Sequence, residues 1–217
     1  MNILSVDWDY FIGLSEKDDL LIQYLWKEYA DRLLAKKFGL SVNNLWRALY
    51  EFMPELHQVK FMAAEYKALL KLLDKQPLGT PCMVAPEHTD AYYFIRQYKK
   101  WRPDVYNIDY HHDVYTHALH SLNCGNWLLH LKREKAIRNI YWINGSKKSC
   151  PQCLTKMPKI KEIGNVEFSC IFLCKSNSFS LPKYDHKFLE LLGYLKSRFD
   201  VSITGNIQKD RWSRIAV

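Results

Sequence analysis

Two short segments of the chain place carboxylates and imidazoles at every second position. They are SVDWDYF, residues 5–11, and NIDYHHD, residues 107–113. Side chains of an extended segment alternate between two faces, so every second residue points the same way. Carboxylates and imidazoles that converge in this manner are typical ligands of divalent metal ions. The candidate ligands in the two segments are Asp7, Asp9, Asp109, His111 and Asp113.

A third segment, PEH at residues 86–88, adds Glu87 and His88 after another apolar run. A desolvated carboxylate without a partner takes up a proton, so the negative charge of these segments calls for cations. Two divalent ions would balance four carboxylates, and a pair of ions that shares a water lowers the pKa of that water. The mixture of oxygen and nitrogen ligands favours Mn²⁺ or a similar metal over Ca²⁺.

The elements that must position these residues alternate along the chain. Near-continuous apolar runs predict buried strands, and the segments between them show helical spacing. This alternation indicates an α/β fold with a mostly parallel sheet sandwiched by helices, whose functional groups gather at the carboxyl ends of the strands. The predicted strands are residues 2–8, 80–88, 104–112, 139–145 and 168–176, with 200–206 as an edge strand or a tail.

The 217 residues are expected to form a single domain, residues 1–217. Within it, residues from about 14 to 76 are helical in pattern and carry no recognisable chemistry. Ser15 is expected to cap the first of these helices, and Gly39 to end it. A basic, Cys-containing stretch from about 146 to 162 is expected to form an excursion over the sheet.

Composition bounds the class of protein. No apolar run approaches the ~20 residues that span a bilayer, and the first residues lack the pattern of a signal peptide. We therefore expect a cytoplasmic protein without a membrane partner. The formal net charge of +8 suits either an anionic partner or solvated helix faces. The scattered Lys residues favour solvated faces, so nucleic acid is not expected as a partner, and homo-oligomerisation is left open.

Cys150 and Cys153 form the sequence CPQC, which has the spacing of a zinc knuckle. Their partners would be Cys170 and Cys174, which lie in a predicted strand. Residues four apart on one strand share a face but are separated by ~13 Å, which is too far to hold one ion. A turn with reduced thiols is therefore preferred to a zinc site.

The metal-type segments resemble the motifs of the ureohydrolases, the family of arginase and agmatinase. DYHHD is similar to their Asp-x-His-x-Asp motif, and SVDWDYF to their Ser-x-Asp-x-Asp motif. PEHTDA is a partial match to their Gly-Gly-Asp-His segment, and CGNWL resembles their Ser-Gly-Asn-Leu-His loop. The chain is shorter than the large members, and its Asp-x-Asp motif comes first instead of late. The resemblance is closest to the short peptide arginases, which convert arginine residues of ribosomal peptides to ornithine.

The resemblance implies an arginase/deacetylase-like three-layer fold with a rearranged motif order and two Mn²⁺ ions. It implies hydrolysis of the guanidino group of arginine in a precursor peptide, which gives urea and an ornithine residue. Asp7 and Asp109 would bridge the two ions. The remaining ligands would be His88 and Asp113 for one ion, and His111 and Asp9 for the other.

The proton shuttle that the resemblance implies departs from the family pattern. Large members carry a shuttling His in the Gly-Asn loop, where this chain has Leu128. His120 is the preferred substitute as a catalytic residue, with His117 and His130 as alternatives. His112 falls on the face opposite His111 and is expected to pack.

Substrate contacts are implied at three further positions. The family carries a Glu that pairs with the guanidinium group, and the candidates here are Glu87, as a catalytic residue, and Glu16, as a substrate-binding residue. Asn126, in the CGNWL segment, is expected to contact the substrate. The resemblance does not decide between the two Glu residues.

Four other functions are alternatives to the hydrolysis of arginine in a peptide. The first is hydrolysis of free arginine or agmatine. The second is an amide deacetylase of the same fold, which would use a single zinc and leave the second Asp-x-Asp carboxylate unexplained. The third is a phosphoesterase, which would want a Gly-Asn-His motif where this chain reads GNW. The last is a basic peptide- or nucleic-acid-binding domain without enzymatic activity, which does not explain six convergent ligands.

Overall fold

A parallel sheet forms the centre of the molecule. The computed structural model of the chain describes residues 1–30, 42–116, 120–144, 149–205 and 207. Within these residues the sheet has seven strands in the order β5-β4-β3-β1-β6-β2-β7, and all neighbours run parallel. The strands are β1 (Asn2–Asp7), β2 (Pro81–Ala85), β3 (Asp104–Ile108), β4 (Ile140–Ile143), β5 (Thr155–Met157), β6 (Cys170–Cys174) and β7 (Asp200–Ile203). The expected α/β fold is confirmed.

Helices connect the strands and pack on both faces of the sheet. In the described residues they are α1 (Glu16–Ala30), α2 (Val42–Phe52), α3 (Ala63–Asp74), α4 (Asp90–Arg96), α5 (Trp127–Arg133) and α6 (Asp185–Arg198). The amide of Asp18 donates to Ser15 Oγ (3.1 Å), so Ser15 begins α1 as predicted. No helix among the described ranges is both long and apolar enough to cross a membrane.

Strand β6 shows why the strand sequences are continuously apolar. Its side chains alternate between two cores: Ile171 and Leu173 pack with α2, α3 and α6, whereas Cys170 and Phe172 pack with α4 and α5. A strand that is covered on both faces has no solvent side and therefore needs no polar alternation. The result is a three-layer arrangement of helix, sheet and helix.

The strand order brings the predicted site residues to one point. The central strand β1 has β3 on one side and β6 on the other, and β2 lies beyond β6. The chain therefore leaves β1 in one direction to reach β2 and returns to the other side for β3. A crevice at such a switch in strand order is the usual place for a site in an open α/β sheet.

Two local expectations are corrected. Strand β3 ends at Ile108 instead of continuing to His112, because the chain turns at Asp109. The stretch from about 146 to 162 contributes the edge strand β5, which the sequence pattern did not indicate. The possible edge strand near the C-terminus is confirmed as β7. Gly39 and His117 lie outside the described residues.

The start of β3 carries an ion pair whose contribution to stability is expected to depend on pH. Arg138 donates to both carboxylate oxygens of Asp104, at 2.9 and 2.6 Å. The hydrogen bond from Arg138, acting against burial, lowers the pKa of Asp104 below its ordinary 3.8. Because the folded-state pKa is depressed, the stabilisation is complete above about pH 4 and is lost as the pH falls through the folded-state pKa.

Replacement of Arg138 by alanine is therefore expected to lower the urea midpoint of unfolding more at pH 7 than near pH 2.5. Urea unfolding at both pH values, followed by circular dichroism, measures the difference. Arg133→Ala, at the exposed end of α5, removes the same charge and should leave the midpoint unchanged. An equal effect of Arg138→Ala at both pH values would contradict the assignment.

Candidate metal centre

A cavity of about 580 Å³ lies at the carboxyl ends of β1, β2 and β3. Its size is that of a small-molecule site. The described residues that line it include no Lys or Arg, although the whole chain has a net charge of +8. Its acidic lining residues are Asp7, Asp9, Glu16, Asp19, Glu87 and Asp113. The local charge is therefore opposite to that of the protein as a whole.

The end of β1 delivers two carboxylates to the cavity through a tight turn. The strand ends at Asp7, and residues Trp8–Phe11 form a 3₁₀ turn. The amide of Asp9 donates to Asp7 Oδ1 at 3.3 Å, so the first carboxylate caps the turn that positions the second. Trp8, which separates them in sequence, has its side chain fully buried in the hydrophobic core. Both carboxylates are buried, as the alternation of types predicted, but a turn and not an extended strand places Asp9.

The end of β3 is also a turn. Asp109 follows the strand, and its Oδ1 accepts the amide of His111 at 2.7 Å. Asp113 has a φ of 52°, a left-handed conformation that interrupts any extended run. Its Oδ2 accepts the indole N–H of Trp127 at 2.6 Å. A compact loop therefore replaces the expected extended row. It still brings Asp109, His111 and Asp113 together next to the cavity.

The first metal-type group is centred on the imidazole of His88. Its Nδ1 lies 3.0 Å from Asp7 Oδ2, 3.2 Å from Asp109 Oδ2 and 3.1 Å from Asp113 Oδ2. His88 is 2% exposed, and its ring stacks on Phe172 with an interplanar angle of 6°. One ring nitrogen has a single proton at most, so it cannot satisfy three carboxylates at once. A cation among the four atoms would satisfy them all.

The spacing of these atoms fits a small divalent ion. Octahedral metal–ligand distances of about 2.1 Å place neighbouring ligands roughly 3.0 Å apart. The three nitrogen-to-oxygen distances around His88 Nδ1 are 3.0 to 3.2 Å. Asp7, His88 and Asp109 accordingly form a group that could hold a metal ion.

The second metal-type group contains Asp9, Asp109 and His111. His111 Nδ1 lies 3.5 Å from Asp9 Oδ2 and 3.8 Å from Asp109 Oδ1. Asp9 Oδ1 is buried and has no hydrogen-bond partner in the described part of the chain. Because an unsatisfied buried carboxylate oxygen is costly, this atom would be stabilised by a bound cation.

Asp109 belongs to both groups. Its Oδ2 faces His88 and its Oδ1 faces His111, so one carboxylate can serve two neighbouring ions. The bridging role predicted for Asp109 requires this geometry, whereas Asp7, which was also predicted to bridge, belongs only to the first group. Asp7 contacts the first group through Oδ2, while its Oδ1 accepts the amide of Asp9. The two groups thus meet at Asp109, which is fully buried.

The ionisation of the cluster reflects its crowded negative charge. Burial and then the charge of Asp7 raise the pKa of Asp9 to about 7. Burial and the charge of Asp113 raise the pKa of Asp109 well above its usual range. Burial opposes protonation of His88, but the charge of Asp7 and the hydrogen bonds with Asp109 and Asp113 raise its pKa. Bound divalent ions would offset the negative charge that holds these protons.

His88 and His111 both direct Nδ1 toward the carboxylates of their metal-type groups. Each ring also has a partner on Nε2. His88 Nε2 lies 3.0 Å from Ser5 Oγ. His111 Nε2 lies 3.1 Å from Asp19 Oδ2, on α1. Such partners on the distal nitrogen are characteristic of metal-ligating histidines, because they orient the ring. The sequence did not predict either of these partners, Ser5 and Asp19. Asp19 is one of three acidic residues in the first turn of α1, where acids are common.

The predicted substrate-contacting residues fall in two different environments. Glu16 and Glu87 both line the cavity and stay accessible at its rim. Desolvation of the Glu87 carboxyl, followed by the charges of Asp7 and Asp90, raises its pKa to about 7. Asn126 is fully buried outside the lining, where its amide donates to the carbonyl of Ser121 at 2.9 Å.

The loop that Asn126 holds does reach the cavity through other residues. Asn126 Oδ1 accepts the amide of Asn123 at 2.8 Å. Asn123, Cys124 and Gly125 line the cavity. Cys124 and Gly125 of the CGNWL segment therefore form part of the cavity wall, whereas Asn126, the residue expected to contact the substrate, lies behind the wall.

The candidate proton shuttles lie away from the two groups. His120 is exposed on a turn outside the cavity lining, and His130 lies on α5 with its ring 6.3 Å from that of Tyr92. His112 packs against Tyr115 as expected, with ring centroids 3.9 Å apart, but it also lines the cavity. The described lining of the cavity contains three histidines, His88, His111 and His112.

The cysteines of the CPQC segment take no part in either group. Cys153 is exposed, and Cys150 Sγ contacts the carbonyl oxygens of Pro151 and Leu154. Cys170 and Cys174 are buried in β6. None of these thiols forms a disulfide in the structure.

Comparisons of this chain with protein-family models, with curated proteins and with solved structures find no match. The geometry of the cavity therefore has to carry the functional argument.

Proposed function

We propose that the protein is a manganese-dependent hydrolase of guanidino groups, related to the ureohydrolases, whose substrate is arginine within a peptide. The observation that carries the proposal is the pair of metal-type groups that share the buried Asp109 and whose other members line an acidic cavity. Two ion sites that share one carboxylate are typical of hydrolases that activate water.

The chain's own residues would hold the two ions. Asp7, His88 and Asp113 surround the first position, Asp9 and His111 the second, and Asp109 faces both. The ions would supply Lewis-acid activation of a water molecule next to the substrate. The carboxylate and imidazole donors suit Mn²⁺, and the described lining of the cavity contains no Lys that would compete for the carboxylates.

The charge of the cavity favours a cationic substrate head. Bound divalent ions would neutralise the carboxylates of the floor, which leaves the rim carboxylates Glu16 and Glu87 for the substrate. A guanidinium group carries five N–H donors in a planar fork and pairs well with carboxylates. Either rim residue could accept such a fork while the carbon of the group faces the floor.

The lining also favours a peptide over a free amino acid. Free arginine carries an α-carboxylate, which needs a cation or several donors to be held in a negative cavity. The described lining offers no Lys or Arg for it. In a peptide the same carbon is a neutral amide, so this repulsion is absent.

We assign proton transfer to the leaving amine to His112. Its Nδ1 accepts the amide of Val114 at 3.2 Å, so the neutral ring carries its proton on Nε2. The ring lines the cavity beside Tyr115, whereas His120 is outside. An imidazole is a common general acid and base in enzymes.

The direct test is to incubate the purified protein with Mn²⁺ and a peptide that contains one arginine. Conversion of that residue to ornithine should lower the peptide mass by about 42 Da and release one urea per peptide. A peptide with lysine in place of arginine, and a reaction with a chelator added, serve as controls. Unchanged peptide mass with metal bound would refute the proposed activity, and a loss of about 42 Da confined to acetylated lysine would identify a deacetylase.

A further inference from the structure

We propose that Asp19 of α1 is a positioning residue for His111 and that binding of the second metal ion depends on it. The inference rests on the proposed binuclear centre and extends it to a helix that carries no motif. Asp19 is 4% exposed, and its Oδ2 lies 3.1 Å from His111 Nε2. A carboxylate that is buried on a helix needs a partner, and this imidazole is one.

The contact selects the tautomer of His111 that a metal requires. When Nε2–H donates to Asp19, the neutral ring keeps a lone pair on Nδ1. That atom is the one directed at Asp9 Oδ2 and Asp109 Oδ1. Without Asp19 the ring could carry its proton on Nδ1 instead, or could turn about its side-chain bonds. In either case the second group would lose its nitrogen ligand.

The histidines of the two metal-type groups differ in how firmly their rings are held. His88 has a neutral hydroxyl, Ser5 Oγ, on its distal nitrogen and is packed between Phe172 and Trp127. His111 has a carboxylate there, and its side chain is 16% exposed. A less enclosed ring depends more on its hydrogen bond for orientation, and a carboxylate partner makes the ring a stronger donor to a cation. The second ion should therefore be the more sensitive one.

Helix α1 is built to present Asp19 inward. Ser15 caps the helix through Asp18, and the amide of Asp19 donates to the carbonyl of Ser15 at 2.9 Å. Asp19 consequently sits in the first turn, while its neighbour Leu20 is 59% exposed. The first helix of the segment from about 14 to 76, which showed no chemistry in sequence, thus contacts the metal centre directly.

The experiment compares metal binding by the wild type, Asp19→Ala, Asp19→Asn and Asp18→Ala. Titration with Mn²⁺ against a chromophoric chelator gives the affinity of each ion, and electron paramagnetic resonance separates a coupled pair from a single ion. Asp19→Ala should weaken the second ion by roughly 10- to 100-fold and leave the first within about 3-fold. Asp19→Asn keeps an acceptor oxygen and should recover most of that affinity.

Asp18→Ala is the matched control, because it removes the same charge in the same helical turn without touching His111. It should change neither affinity by more than about 2-fold. The double variant Asp19→Ala/His111→Ala should bind the second ion no more weakly than His111→Ala alone, since the two residues act through one ring. Additive losses in the double variant would indicate a general structural effect and would overturn the inference.

The outcomes separate this inference from the proposed activity. If both ions bind, Asp19→Ala loses the second, and no arginine is hydrolysed, then Asp19 has the positioning role and the activity is wrong. If arginine is hydrolysed and Asp19→Ala binds both ions as the wild type does, then the inference is wrong. Wild-type protein that binds no more than one ion would overturn both the binuclear centre and the inference.

Discussion

Replacement of Asp109 by alanine is expected to abolish the binding of both metal ions. Its two carboxylate oxygens face different groups, Oδ2 toward His88 and Oδ1 toward His111. One substitution therefore removes a ligand from each group at once. Asp9→Ala should instead weaken the ion beside His111 and spare the ion beside His88, because Asp9 belongs to the second group.

Elemental analysis after gel filtration in Mn²⁺ measures the prediction. The wild type should retain about two ions per chain, Asp9→Ala about one, and Asp109→Ala almost none, with a loss of activity of at least about 100-fold in Asp109→Ala. Asp109→Asn keeps an acceptor for the amide of His111, so it guards against a mere folding defect. Asp90→Ala, a carboxylate outside both groups at the start of α4, is the control and should retain both ions.

A result in which Asp109→Ala and Asp109→Asn keep one tightly bound ion would contradict the shared-carboxylate geometry. It would favour a mononuclear site around His88, where Asp7 and Asp113 remain. Full metal retention by Asp109→Ala would remove the basis of both groups. Thermal unfolding of the metal-free proteins should be measured in parallel, because loss of a carboxylate whose pKa is raised by burial is not expected to destabilise them strongly.

The residue types and their spacing predicted which carboxylates and imidazoles come together at this edge of the sheet. Asp7 is the last residue of β1, Asp109 directly follows β3, and His88 lies three residues beyond the end of β2. Parallel strands bring their carboxyl ends to one edge of the sheet. Residues that follow a strand directly are therefore easy to place. The six predicted ligands all lie in the two groups or against them.

The positioning of those ligands was harder to predict, because it depends on turns and on long-range packing. Period-two alternation predicted that Asp113 continues an extended row, but its φ of 52° ends that row. The inward direction of Asp113 comes instead from Trp127, fourteen residues away on another element. No local pattern reports such a contact.

Partners from distant segments were missed for the same reason. Asp19 and His111 are 92 residues apart, and Ser5 and His88 are 83 apart. An acid in the first turn of a helix is explained by the helix dipole alone, so Asp19 gave no reason to look further. His112 was correctly expected to pack, but its second role as part of the cavity wall depends on the turn that follows β3.

Arginine within a peptide is expected to be a far better substrate than free arginine, by at least about 10-fold in kcat/KM, which corresponds to roughly 1.4 kcal/mol. The physical reason is the α-carboxylate, which the acidic residues of the described lining would repel. Agmatine has no carboxylate, and it separates the two contributions. If repulsion alone decides, agmatine should react nearly as well as the peptide; if the peptide backbone also binds, the peptide should react faster than agmatine.

The measurement is urea release from free arginine, arginine amide, agmatine and a blocked arginine peptide at equal concentrations and saturating Mn²⁺. Arginine amide is the closest matched control, because it differs from free arginine in the carboxylate alone. The expected order is peptide, then agmatine and arginine amide, then free arginine. Glu16→Gln and Glu87→Gln each remove one rim carboxylate. Substitution of the residue that pairs with the guanidinium group should raise KM for every substrate in the series. Free arginine that reacts as fast as arginine amide would show that the α-carboxylate has a binding partner, and the protein would then be an ordinary arginase in its choice of substrate.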